Sequence, residues 1–110
     1  MIEGVDRDAP MEVNDRGGKQ SATPYAFDLI DALAMFELAR VHAEGAKKYG
    51  PLNWRRIEAR SHLNHALQHA FAWLANDTQD DHLSHAVTRM FMALAVNLQG
   101  GPIDDNKEDV

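Results

Sequence analysis

The sequence predicts an all-α fold, a small helical bundle with flexible arms at both ends, and three observations carry that prediction. Apolar residues recur at helical spacing in three separate segments. Capping or breaking residues bound each segment. Nowhere do apolar and polar residues alternate as in a half-buried strand. A chain of 110 residues supports one core, so the expected organisation is an arm over 1–23, a helical domain over 24–99 and an acidic tail over 100–110.

The arm is polar, charged and rich in Gly and Asp, with neither helical nor strand periodicity, and reads as flexible. Helix one is predicted over 24–48. Thr23 caps it, Pro24 takes the first helical position, and Phe27, Ile30, Ala34, Leu38 and Val41 form its apolar side. Lys47 and Lys48 suit its last turn, and Gly50 and Pro51 stop it. Helix two, capped by Ser61, carries Leu63, Ala66, Leu67, Ala70, Phe71 and Leu74 and ends near Asn76. Thr78 with Asp81 three residues on matches a capping box for helix three, which runs through Leu83, Val87, Met90, Phe91 and Leu94. The short connection makes helices two and three an antiparallel hairpin. A segment as apolar as "MFMALAVNL" exceeds what one neighbour covers, which predicts a homo-oligomer.

The charge balance, 17 Asp plus Glu against 11 Lys plus Arg for a net charge of −6, repels phosphate backbones and argues against a nucleic-acid polymer as partner. With no cysteine, any metal must be held by His, Asp or Glu. No leader pattern and no run of 18 apolar residues is present. The expectation is a cytoplasmic protein without membrane contact.

Five of the six histidines fall between His62 and His85. His62, His65 and His69 share one face of helix two; His82, His85 and Arg89 share one face of helix three, with Asp81 at its edge. Antiparallel packing sets the two stripes across one groove. His65, His69, His82 and His85 are thus candidate ligands of a divalent cation. Taken singly, each histidine also fits ordinary polar surface, and Asp81 fits a simple capping role. In "EGAKKYGPLNWRR", Lys47, Lys48 and Arg55 suit phosphate, while Asn53 and Trp54 suit a base edge and a base face. Equally, the lysines complement a helix C-terminus and Trp54 covers the core. Glu37 interrupts the apolar side of helix one, which places its carboxylate either against a buried partner or in a polar groove. Glu44, on the same face, reads as solvated.

The stretches "ELARVHAEGAKKYGPLNWRR", "HALQHAFAWL" and "DDHLSHAVTRMFMAL" resemble the small helical proteins, common in phages, classed as dATP/dGTP diphosphohydrolase N-terminal domains. These are similar in turn to the MazG-like all-α nucleoside triphosphate pyrophosphohydrolases. The resemblance spans about residues 33–98, and "GAKKYG" followed by "NWR" is its most specific part. It implies a MazG-like bundle, built as a homodimer or homotetramer, that converts a purine deoxynucleoside triphosphate to the monophosphate and pyrophosphate with Mg²⁺ or Mn²⁺. MazG-like enzymes hold the metal with Glu-x-x-Glu and Glu-x-x-Asp pairs. Here His82-x-x-His85 stands for the second pair, and the preceding helix offers His65 and His69. Imidazoles move the preference from Mg²⁺ towards Mn²⁺, Co²⁺, Ni²⁺ or Zn²⁺.

The reaction expected is metal-assisted hydrolysis of the α–β phosphoanhydride, with Glu37, Asp81 or a histidine as base and Lys47, Lys48 and Arg55 on the leaving pyrophosphate. The alternative is a non-catalytic helical module that binds a structural metal or builds an oligomer.

Overall fold

A computed structural model describes residues 2–104 of the chain. The last part of the predicted acidic tail, 105–110, lies outside the described residues. Three helices dominate: α1 (Ala32–Tyr49), α2 (Ala59–Leu74) and α3 (His82–Leu98). The all-α class holds for this small helical domain, with one addition.

That addition is a hairpin within the predicted flexible arm. β1 (Met11–Val13) pairs antiparallel with β2 (Lys19–Ser21), Glu12 facing Gln20. The turn explains it. Asn14 Oδ1 accepts from the backbone N–H groups of Arg16 and Gly18, and Gly17 takes the left-handed φ of +80° that the reversal needs. All six strand residues are exposed, so no face selects apolar side chains and no alternation is written into the sequence. The hairpin belongs to a unit ending at Ala32, and the helical unit begins at Leu33.

Helix one starts eight residues later than Pro24. Thr23 Oγ1 does accept from the Tyr25 N–H, at 3.2 Å, but the chain then makes a 3-10 turn at Phe27–Leu29 and extends at Ile30 before α1 begins. The cap is made and the helix is not propagated, because a single turn is a costly nucleus without packing to hold it. The far end follows expectation: Lys47 and Lys48 occupy the last turn, and Gly50 at φ +101° donates to the Ala46 carbonyl.

After α1, Leu52 is left-handed (φ +61°) and Asn53–Arg56 forms a 3-10 turn. Helix α2 starts at Ala59, so Ser61 lies inside its first turn and caps nothing. At its other end Asn76 takes φ +63°, and the Asp77 N–H donates to the Ala72 carbonyl, which closes the helix through a left-handed asparagine. The Thr78–Asp81 capping box is not made either; Asp81 precedes α3 with no side-chain cap bond, its carboxylate being engaged elsewhere.

Helices α2 and α3 pack as the predicted antiparallel pair: His69 meets both His82 and His85, and His62 lies near Arg89. The buried apolar residues are Leu38, Val41, Ala66, Ala86, Met92, Ala93 and Val96. This differs from the predicted core. Leu63, Leu67, Phe71 and Leu74 of α2, and Leu83, Val87, Met90, Phe91 and Leu94 of α3, are exposed. Small residues, Ala66 on α2 and Ala86 and Ala93 on α3, are buried beside Met92 and Val96, while the larger apolar side chains of both helices lie outward. Several of them line an open apolar groove of about 680 Å³, with Leu63, Met90, Phe91 and Leu94 on its walls.

Candidate functional site

Three side chains converge where α2 hands over to α3. The Nδ1 atoms of His69 and His82 lie 3.0 Å apart, and one ligand atom from each of His69, Asp80 and His82 falls within 4.8 Å of the others. The left-handed stop at Asn76 and the short connection bring the end of α2 onto the start of α3, so the local sequence builds this junction.

Behind His82 stands Asp77, whose Oδ2 accepts from Nε2–H at 2.5 Å. That bond fixes the tautomer and leaves Nδ1 as a lone pair aimed at His69. His82 itself, and next the Gln79 backbone N–H, hold the Asp77 carboxyl below its usual range. The Asp81 backbone N–H does the same for Asp80, helped by the charges of His85, His69 and His82. Burial, reinforced by His85 and His82, pushes the His69 imidazole down and favours its neutral form. His85 stacks on His69 with centroids 5.2 Å apart and holds Nε2 3.6 Å from Asp80 Oδ1. His65, one turn from His69, is exposed.

Two imidazole nitrogens, a carboxylate oxygen and a second carboxylate orienting one ring make a donor set that fits a divalent transition cation. It suits a borderline ion better than Mg²⁺, which prefers oxygen alone.

A second constellation is built around Arg40. Its Nε and Nη2 take both Glu37 oxygens at 2.8 and 2.9 Å, Nη1 reaches Glu44 at 2.6 Å, and Nη2 reaches Asp81 at 2.7 Å. Ser84 Oγ donates to Glu37 Oε2 at 2.8 Å, tying α1 to α3. Arg40 first, and Ser84 next, bring the Glu37 carboxyl down to about 2. Glu37 and Asp81 therefore stand together across an arginine, and Glu37 is satisfied by Arg40 and Ser84 rather than by the histidines. Glu44 joins them and is not merely solvated.

The "NWRR" turn lies further along α3. The Trp54 carbonyl accepts from His62 Nε2–H at 2.8 Å, and its ring meets His42 edge-on at 6.0 Å. His42 in turn meets Phe91 at 5.8 Å. The Arg55 guanidinium lies 4.5 Å over Trp54 and donates to Gln99 Oε1 at 2.6 Å. Asn53 Oδ1 accepts from Arg56 at 3.4 Å. Lys47 and Lys48 are exposed, Lys48 Nζ lying 5.1 Å from the Tyr49 ring centroid.

Arg40, Asp77 and Asp80 were not among the residues singled out in the sequence. Arg40 sits three residues after Glu37 and four before Glu44, the spacing of helical ion pairs, so its signal was present. Asp77 and Asp80 lie in a connection, where no periodicity marks a direction.

Comparison with protein families matches residues 14–106 to the family described as dATP/dGTP diphosphohydrolase, N-terminal. The chain belongs to that family. The matched stretch takes in all three helices, the His69–Asp80–His82 centre and the Arg40 cluster. The family's description is that of a hydrolase of purine deoxynucleoside triphosphates, and it names the N-terminal part of it. Comparison with the curated proteins and with the solved structures gives no match. No helix among the described residues is long and apolar enough to cross a membrane.

Proposed function

We propose that the protein is a metal-dependent pyrophosphohydrolase that converts dATP or dGTP to the monophosphate and pyrophosphate. The observation that carries this is the convergence of His69, Asp80 and His82, with Asp77 behind His82, in a chain of a diphosphohydrolase family.

His69, His82 and Asp80 would hold the cation, with His85 at its edge and His65 a turn away. A divalent ion bound there supplies charge neutralisation on phosphate oxygens and acidifies a water. Asp77 keeps His82 in the tautomer that offers Nδ1. A water oxygen forms the new bond to the α-phosphorus, the α–β bridging bond breaks, and pyrophosphate leaves with the bridging oxygen. Of the candidate proton acceptors, Glu37 is the weakest while Arg40 holds its carboxyl at about 2, and Asp81 shares that arginine. The proton therefore passes to His85, which stacks on His69 and is not one of the three ligands, a role suited to an imidazole. Glu37 and Asp81 act by holding Arg40 and, through Ser84, the start of α3. Lys47 and Lys48 offer exposed cations for the leaving pyrophosphate, and Asn53 and Trp54 a surface for base or sugar; Arg55, expected on the pyrophosphate, is instead held by Gln99 at the far end of α3.

The exposed apolar groove between α2 and α3 supports assembly as a homodimer or homotetramer, since apolar area of this extent is favourably removed from water. The second reading is a helical module that is stabilised by metal and does not turn over nucleotide; description of the family as an N-terminal domain favours it.

One assay separates the two. The protein is incubated with each of four dNTPs in Mg²⁺, Mn²⁺ or Co²⁺ and the products are resolved by ion exchange. Monophosphate plus pyrophosphate from the purine substrates supports the hydrolase. A metal-dependent rise in melting temperature without product supports the module.

A further inference from the structure

Arg89 lies on the face of α3 that carries the metal-centre histidines, four residues after His85 and seven after His82, which puts it one and two turns along the same stripe. Its Nε is buried and has no hydrogen-bond partner among the described residues. Its electrostatic neighbours are the Tyr49 phenol, His62 and His69, and none is a carboxylate.

A guanidinium keeps its charge at any ordinary pH. Here it is half-buried, its Nε shielded from water with no carboxylate partner, and a fold that only needed packing at this position would be better served by an apolar stem. Two other arginines of the helical unit show the contrast. Arg40 is saturated by three carboxylates, and Arg55 is spent on Gln99 and the Trp54 ring. Burial also presses the Arg89 guanidinium below its usual range, in keeping with a cation that lacks a counter-charge.

We propose that Arg89 is an anion-binding residue, whose guanidinium holds phosphate oxygens of a pyrophosphate or oligophosphate group lying beside the His69–Asp80–His82 centre. A guanidinium presents a planar fork that matches two phosphate oxygens at once. An anion there supplies the missing counter-charge, and one helical turn separates it from the His85 end of the metal-centre stripe. Lys47 and Lys48, being exposed, serve approach more than fixation. The placement beside a metal centre rests on the pyrophosphohydrolase reading; the anion site itself does not.

The test is calorimetric titration of inorganic pyrophosphate into the full chain, once in EDTA and once with Mn²⁺, for the wild type, Arg89→Met and Arg89→Lys. Arg89→Met keeps much of the stem and loses the charge; it is expected to weaken binding by about 10- to 100-fold, as loss of hydrogen bonds to a charged group does. Arg89→Lys keeps the charge and loses the fork, and falls between. The melting temperature of unliganded Arg89→Met is expected to match or exceed that of the wild type, because a desolvated charge has gone. Should Arg89→Met fail to fold, a folded Arg89→Lys binding at least tenfold more weakly carries the same conclusion. The inference is overturned if the folded variants bind pyrophosphate as the wild type does in both buffers, or if the wild type binds it in neither. Pyrophosphate binding that depends on Arg89, in a protein that hydrolyses no dNTP, upholds the anion site and defeats the hydrolase reading. Hydrolysis with pyrophosphate binding indifferent to Arg89 does the reverse.

Discussion

His62 is 1% exposed, on the first turns of α2, and its Nε2–H donates to the Trp54 carbonyl at 2.8 Å. Replacing it by alanine does two things at once. The carbonyl loses its partner inside the protein, a cost of about 1–3 kcal/mol. The volume of the ring is left behind, and truncations of large buried side chains cost about 2–5 kcal/mol. The two overlap, since water entering the space would satisfy the carbonyl, so the expected loss for His62→Ala is about 3–5 kcal/mol. In a domain of this size that lowers the melting temperature by roughly 12 °C or more. Urea denaturation in EDTA, which removes metal linkage, measures it directly. His62→Gln, which retains an N–H on a side chain of similar reach, recovers part of the loss. A His62→Ala stability within about 0.5 kcal/mol of the wild type, the range of a surface substitution, would refute the reasoning.

Asp77→Asn leaves His82 without its orienting carboxylate and is expected to weaken Mn²⁺ or Co²⁺ binding by about 10- to 100-fold, read by calorimetry; unchanged affinity removes Asp77 from the centre. Arg40→Ala frees Glu37 from its bidentate partner, so the Glu37 carboxyl, now brought down to about 2, returns towards the ordinary carboxylate range in an NMR titration. Acid stability falls in two stages. Burial depresses His42, His62 and His69 below 6.5, so the unfolded chain binds the extra protons and stability, complete above about 6.5, declines as the pH falls below it. Glu37, Asp77 and Asp80 are depressed as well, and their contribution is lost as the pH falls through the carboxylate range, down to about 2 for Glu37. Melting temperatures across pH 2–8 follow both stages, and a profile flat between pH 7 and 5 contradicts the first.

The helix count, the antiparallel α2–α3 pair and the facing of His69 with His82 were legible because each follows from spacing alone. Three and seven residues set a face, and a short connection sets the partner. Capping was read less well. Ser61 and Thr78 have the chemistry of caps, but caps contribute about 1 kcal/mol each, and the packing of His62 and the pull of Arg40 on Asp81 override them. The core was misread for a related reason. Leu63, Leu67, Met90 and Leu94 announce an apolar face, while Ala66, Ala86 and Ala93 are among the residues that are buried. Size does not say which of two neighbouring stripes a helix presents. The hairpin escaped because its only signature is a turn, Asn14 to Gly18. At the site, side chains on helices were placed by periodicity, whereas Asp77 and Asp80 sit in a connection that only the folded path directs.

Gln99 ties together parts of the chain that are far apart in sequence. Its amide accepts from Arg55 and donates to the Arg55 and Gly101 carbonyls, and the Ile103 N–H closes on that same Arg55 carbonyl at 3.0 Å. Arg55 leads by one peptide to Trp54, and Trp54 to His62. Tension applied at Ile103 is thereby relayed through Arg55 and Trp54 to the first turns of α2, where His62 is buried.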